Sequence, residues 1–144
     1  MNRINQNRVN NTNFCGIKPK SVEVKNMEEF LKKIIENILI RAEREVPEYG
    51  NFKLVTEKFK NFDKNLDVDE FWLEIGQPPK GTENYETKRF LKFVASKPNS
   101  DTSAEILIGS GSKKEILETL KKEGLTGKLK EYAQKLSYNL EDLN

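Results

Sequence analysis

From Met27 to Val46 apolar residues recur at intervals of three and four: Met27, Phe30, Leu31, Ile34, Ile35, Ile38, Leu39, Ala42 and Val46. At 100° per residue these positions fall on about half of a helix circumference, with Glu29, Lys32, Lys33, Glu36 and Glu43 opposite them. The spacing predicts a long amphipathic helix ending near Pro47. Asn26 is its expected cap, with Glu29 reaching back as a capping box. Ile40 lies off the apolar stripe, so it either meets another element or stands exposed. Just upstream, Ser21 to Lys25 alternates and predicts a short edge strand.

Phe52, Val55, Phe59 and Phe62 are spaced three, four and three apart, which predicts a second helix after Asn51. The period then changes. Phe71, Leu73 and Ile75 alternate with Trp72 and Glu74 to predict a strand over Asp69–Gly76, closed by the Pro78-Pro79-Lys80-Gly81 loop. Arg89–Ala95 and Ala104–Ile108 predict two further strands, although Phe90, Leu91 and Val94 also fit one face of a helix. Ser112 with Glu115 forms a capping box that opens a helix carrying Ile116, Leu117 and Leu120, with Gly124 as its stop. Leu125, Leu129, Tyr132, Ala133, Leu136, Leu140 and Leu143 mark a final helix. The expected fold is α+β: N-terminal helices, a three-stranded antiparallel meander and two C-terminal helices, packed as one small two-layer domain over residues 21–144.

The first twenty residues carry no such pattern. Six of the first thirteen are Asn, and the segment is too polar to bury the surface that would offset its ordering entropy. Residues 1–20 therefore read as a disordered tail. Phe14, within Phe14-Cys15-Gly16-Ile17, is its one candidate docking element for a protein partner, against the plainer reading of a solvated tail. An Asn-rich N-terminus without a signal peptide also resembles that of type III secretion substrates, a likeness of composition alone.

Charge sharpens this division. Arg3, Arg8, Lys18, Lys20 and Lys25 stand against Glu23 in residues 1–26, leaving 20 of the 25 basic and 22 of the 23 acidic side chains in residues 27–144, a balance of −2. The folded part thus has no net basic excess to attract nucleic acid. There is no histidine and only one cysteine. That removes Ser-His-Asp and Cys-His catalysis, imidazole ligands, an intramolecular disulfide and a thiolate zinc site. No apolar run is long enough for a signal-peptide core or a membrane span, so the expected location is cytoplasmic, with no membrane partner. No cofactor is expected.

Three stretches carry candidate chemistry. Asp63, Asn65, Asp67 and Glu74 follow Phe59-Lys60-Asn61-Phe62-Asp63-Lys64 and resemble an EF-hand, occupying its first, third, fifth and twelfth loop positions. The resemblance implies calcium held by carboxylate and amide oxygens. The pattern departs from the family at Val68, where the turn takes Gly, and at Glu70, where Ile or Leu is usual; a plain acidic loop also fits these residues. Gly111, Ser112, Lys113 and Lys114 open a helix with free N–H groups and two lysines, an arrangement that suits an anion. This stretch resembles the third region of double-stranded-RNA-binding domains. That likeness implies phosphate contacts by Lys113 and Lys114, while the alternative is a Ser112 cap with two solvated lysines. Finally, if Phe71, Leu73 and Ile75 point inward, Trp72 points outward and can anchor a partner; if helices cover both faces, it is core. Taken together, the sequence leads to a small non-catalytic binding or adaptor protein, with phosphate or double-stranded-RNA binding as the alternative and a degenerate calcium site as the second.

Overall fold

The computed structural model describes residues 20–97 and 101–142. A long helix, α1 (Lys20–Glu45), is followed by four strands, β1 (Val55–Lys60), β2 (Glu70–Gly76), β3 (Arg89–Ser96) and β4 (Ser103–Gly111), and by helices α2 (Lys113–Lys121) and α3 (Leu125–Asp142). The α+β class expected from the sequence is present, with one helix rather than several before the sheet and four strands rather than three.

Helix α1 buries most of the predicted stripe: Leu31, Ile38 and Ala42 are all but inaccessible, as is Val46 just past its end, while Phe30 on the stripe is 39% and Ile40 off it 56% exposed. Its start differs from expectation. Residues 21–25 form its first turns instead of a strand, and Asn26 lies inside the helix rather than capping it. A helix that already exists gains one hydrogen bond for each residue it adds, whereas a five-residue strand needs a free sheet edge beside it.

The segment predicted as a second helix is strand β1. Val55 and Phe59 are buried four residues apart, a spacing that satisfies a period of two as well as one of 3.6. The intervening inward position is Glu57, opposite Leu73, and this one carboxylate hides the alternation. It is held by α1. Arg41 Nη1 lies 3.4 Å and Asn37 Nδ2 3.5 Å from its carboxylate oxygens. Arg41 also donates to the backbone carbonyl of Thr56. Hydrogen bonding to Glu45, more than to Glu57, raises the Arg41 pKa further above its ordinary value despite some burial.

The strands run in the order β1-β2-β3-β4, each antiparallel to its neighbour. β3 is a strand throughout, because its inward residues Leu91, Phe93 and Ala95 complete cross-strand rows with Ile75, Leu73 and Phe71. β4 runs on through Gly109-Ser110-Gly111, past the Ile108 end expected from the sequence, and carries a bulge opposite Leu91/Lys92. All three helices pack on one face of the sheet: α1 against β1, α2 against β3 and β4, α3 against β3 and β4. The core lies between these layers. It includes an aromatic group in which Phe59, Phe71 and Phe93 stack with centroids 5.2–6.2 Å apart.

The C-terminal helices follow their sequence signals. Ser112 Oγ accepts from Glu115 N, and Glu115 Oε1 accepts from Ser112 N at 2.9 Å, closing the capping box. Gly124 takes φ +85° between the two helices, where a residue without Cβ turns at no steric cost. On α3, Leu129, Ala133, Leu136 and Leu140 are fully buried. Lys130 reaches back to Glu28 of α1 at 3.8 Å.

Candidate functional site

Among the described residues every helix lies on the same side of the sheet, and none covers the other face. Strand register arranges its side chains in four rows. Lys60, Glu70, Ser96 and Ser103 form the first; Lys58, Trp72, Val94 and Glu105 the second; Thr56, Glu74, Lys92 and Leu107 the third. The fourth contains Gly76, Phe90 and Ser110, with Leu54 seated over Gly76 so closely that a Cβ there would stand 3.0 Å from Leu54 Cδ1. Val94 is buried although it stands outside the main core. Its directly opposite neighbour is Trp72.

The sequence left Trp72 between an outward anchor and a core residue covered by helices. The register puts it on the open face. It is half-buried there by its neighbours: Nε1 donates to Glu74 at 3.0 Å, and the Lys58 ammonium lies 5.5 Å from the ring centroid. Phe90 is flanked in the same way by Lys88 and Lys92. Such cation–π contacts cover aromatic faces without withdrawing them from a partner, since long lysine stems rearrange readily. The charges on this face are balanced. Lys58 approaches Glu70 at 4.0 Å and Lys92 pairs with Glu105 at 2.9 Å. Leu54 and Leu107 each remain more than half exposed at two of its margins.

A second feature lies at the start of α2. Glu48, Tyr49, Thr87, Lys113, Lys114 and Lys121 line a cleft of about 510 Å³ that also takes in Ser112. Gly111, Ser112, Lys113 and Lys114 are therefore close together, as the chain order requires, but their donors are partly committed. The Ser112 N–H is taken by Glu115, whose carboxyl is held below its ordinary value chiefly by that backbone bond. Lys113 Nζ donates to the Glu43 carbonyl at 3.0 Å, where it closes the end of α1. Lys114 is exposed.

Of the four residues of the calcium reading, Asp63, Asn65 and Asp67 lie in the β1–β2 loop and Glu74 apart from them on β2. The stretch joins two strands of a hairpin rather than two helices. Asp63 accepts from the backbone of Asn65 at 3.0 Å, Asp67 pairs with Lys97 at 3.2 Å, and Glu74 sits on the open face beneath the Trp72 bond. No cluster of three potential metal ligands occurs among the described residues. Val68, at the position of the EF-hand glycine, is buried in the core and anchors the loop. Phe14 lies outside the described residues.

Two residues that organise these surfaces escaped the sequence reading. Asn61 folds the β1–β2 loop by donating to the carbonyls of Leu66 and Val68, both at 2.9 Å, and by accepting from Asp63 N. Arg89 is fully buried and has no acidic partner among the described residues. Its guanidinium donates to Pro47 O at 2.9 and 3.2 Å, to Gly50 O and Lys88 O at 3.1 Å, and lies 4.8 Å from the centre of the Phe52 ring. Burial pushes its pKa down. By holding the turn after α1, Arg89 sets Glu48 and Tyr49 at the rim of the cleft. An arginine opening a predicted strand carries no signal of this role, because the acceptors that fix the turn, Pro47 O and Gly50 O, are backbone carbonyls 42 and 39 residues away.

Among the described residues no helix is long and apolar enough to cross a membrane. Compared with protein-family models, curated proteins and solved structures, the chain gives no match.

Proposed function

We propose that the chain is a small non-catalytic binding module, and that its partner is a protein engaged by the open sheet face around Trp72. The observation that carries this reading is the grouping of Leu54, Trp72, Phe90 and Leu107 on the sheet face that no helix covers among the described residues. Aromatic residues ringed by charges of both signs suit a protein surface, where a few large side chains supply most of the binding energy. The balance of Lys58 and Lys92 against Glu70, Glu74 and Glu105 gives little of the phosphate attraction that a nucleic acid needs. The lack of histidine agrees with a binding rather than a catalytic role.

The test uses the only tryptophan in the chain. A protein recovered with the full chain, then purified and titrated back, is expected to change Trp72 fluorescence. The triple change Trp72→Ser, Phe90→Ser and Leu107→Ser should abolish binding without unfolding the sheet. Unaltered binding by that variant, or reproducible turnover lost on changing one Asp or Glu, would overturn the proposal.

A second reading, phosphate or double-stranded-RNA binding, is favoured by one observation: Lys113 and Lys114 share the cleft with Lys121. Changing Lys114 and Lys121 to Ala, which spares the Lys113 contact to α1, should then remove salt-dependent RNA binding. Equal binding by the variant and the parent chain ends this reading.

A further inference from the structure

The two edges of the sheet are unlike. The β1 edge is defended: Arg41 of α1 occupies the Thr56 carbonyl, Glu57 is an inward charge, and Lys58 and Lys60 are exposed along the strand. These are the devices by which edge strands avoid further pairing. The β4 edge lacks them. Ser103–Gly111 contains no Lys, Arg or Pro, and its one charge, Glu105, is taken up by Lys92. Its bulge lies beyond Lys92, so Ser103 to Leu107 stay regular. Among the described residues no strand pairs with the far side of β4. Alternate residues of an edge strand leave their N–H and C=O groups free for another strand.

The inner side of this edge is apolar and walled. Ala104, Ile106 and Ile108 are only partly covered by the core beneath them. Next to Ile108 a pocket of about 260 Å³ is bounded by Thr119, Lys122, Leu125, Lys128 and Tyr132. Lys130 faces α1 through Glu28, so Lys128 and Tyr132, two residues to either side and about 200° around the helix, face the opposite way. The wall therefore offers an aromatic ring with ammonium groups, and Glu123 is the one carboxylate lining the pocket.

We propose that the groove between the β4 edge and α3 binds an extended acidic peptide segment, which joins the sheet as a fifth strand next to Ser103–Leu107. Backbone bonds to β4 supply affinity, as in strand addition generally. An aliphatic side chain on the strand's inner face rests against Ile106 and Ile108. Two residues further along, on the same face, a carboxylate meets Lys128 and Lys122. The proposal deepens the reading of the chain as a protein-binding module by naming the segment that this edge takes.

The test titrates the isotope-labelled full chain with three capped nine-residue peptides of alternating Val and Thr. One carries Asp two residues after its central Val, one carries Lys there, and one has Pro at the centre of the acidic sequence. Amide shifts at 103–108 and around Lys128 and Tyr132 are expected with the acidic peptide. Its affinity should exceed that of the basic peptide about fivefold, the effect of one exposed ion pair. The Pro peptide should not bind, and the Lys128→Glu chain should reverse the charge preference. Lack of binding by the acidic peptide, equal binding of all three, or concentration-dependent dimerisation through the same amides would overturn the proposal. The Trp72 experiment reports separately. A partner lost on changing the open face, with no peptide-induced shifts at amides 103–108, would retain the module and refute the strand site.

Discussion

Replacing Arg89 by Met keeps much of its volume while deleting every donor. Four N–H···O contacts disappear, and the carbonyls of Pro47, Gly50 and Lys88 lose their guanidinium partner. Gly50 O keeps its bond from Gln77 Nε2 at 3.1 Å, so the loss falls on Pro47 O and Lys88 O. A buried acceptor left unsatisfied costs about 1–3 kcal/mol, and the lost contact with the Phe52 ring adds about 1 kcal/mol. Two effects work against this. Water can reach a turn more easily than a sheet, and removing a buried cation recovers its desolvation cost. The net loss is expected near the lower end, about 3 kcal/mol. With a urea dependence of about 1.5 kcal/mol per molar, the unfolding midpoint should fall by about 2 M. Arg89→Lys should be intermediate: it keeps a charge but cannot span Pro47 and Gly50 with one planar fork. In that variant amides 46 and 48–51 should exchange faster while β2 and β3 remain protected. A Met variant unfolding within about 0.5 M of the parent chain would refute the idea that Arg89 holds the turn.

Four shorter expectations follow from other parts of the molecule. Ser112→Ala should destabilise the chain by about 1 kcal/mol in urea, and a change below about 0.3 kcal/mol would refute the capping assignment. Gly111→Ala should be worse than an ordinary glycine replacement, because φ is +143° and the new Cβ would meet Glu115 Oε1 at 2.6 Å; equal melting temperatures would disprove this. The Glu115 carboxyl has a folded-state pKa below its unfolded value. Its stabilising effect is therefore present above the unfolded pKa and is lost as pH falls through the folded one, so Glu115→Gln should flatten the acid limb of a stability–pH profile. Millimolar calcium should leave the melting temperature unchanged, since Asp67 is engaged by Lys97 and Glu74 lies on the sheet; a clear rise would restore the calcium reading.

Much of the architecture is written locally. The stripes on α1 and α3 repeat every three to four residues because each helix buries one side, and that periodicity survives in the sequence alone. The Ser112–Glu115 cap and the Gly124 turn are equally legible, since each is satisfied within a few residues. So is β2, whose inward Phe71, Leu73 and Ile75 alternate without interruption. β1 was not legible, because its central inward residue is Glu57, and only Arg41 and Asn37 on a distant helix make that position tolerable. β3 was ambiguous until Ile75, Leu73 and Phe71 supplied its neighbours.

The candidate surfaces divide along the same line. Residue type and alternation determined that Trp72 stands on the face opposite Phe71 and Leu73. Whether that face is covered was decided by the tertiary structure, because α1, α2 and α3 all pack on the other side. The lysines at α2 were visible in the sequence, but the Glu43 carbonyl that claims Lys113 was not. Short-range periodicity records what each segment must bury. Which surfaces remain unburied depends on how all the segments share one core, and no local pattern encodes that.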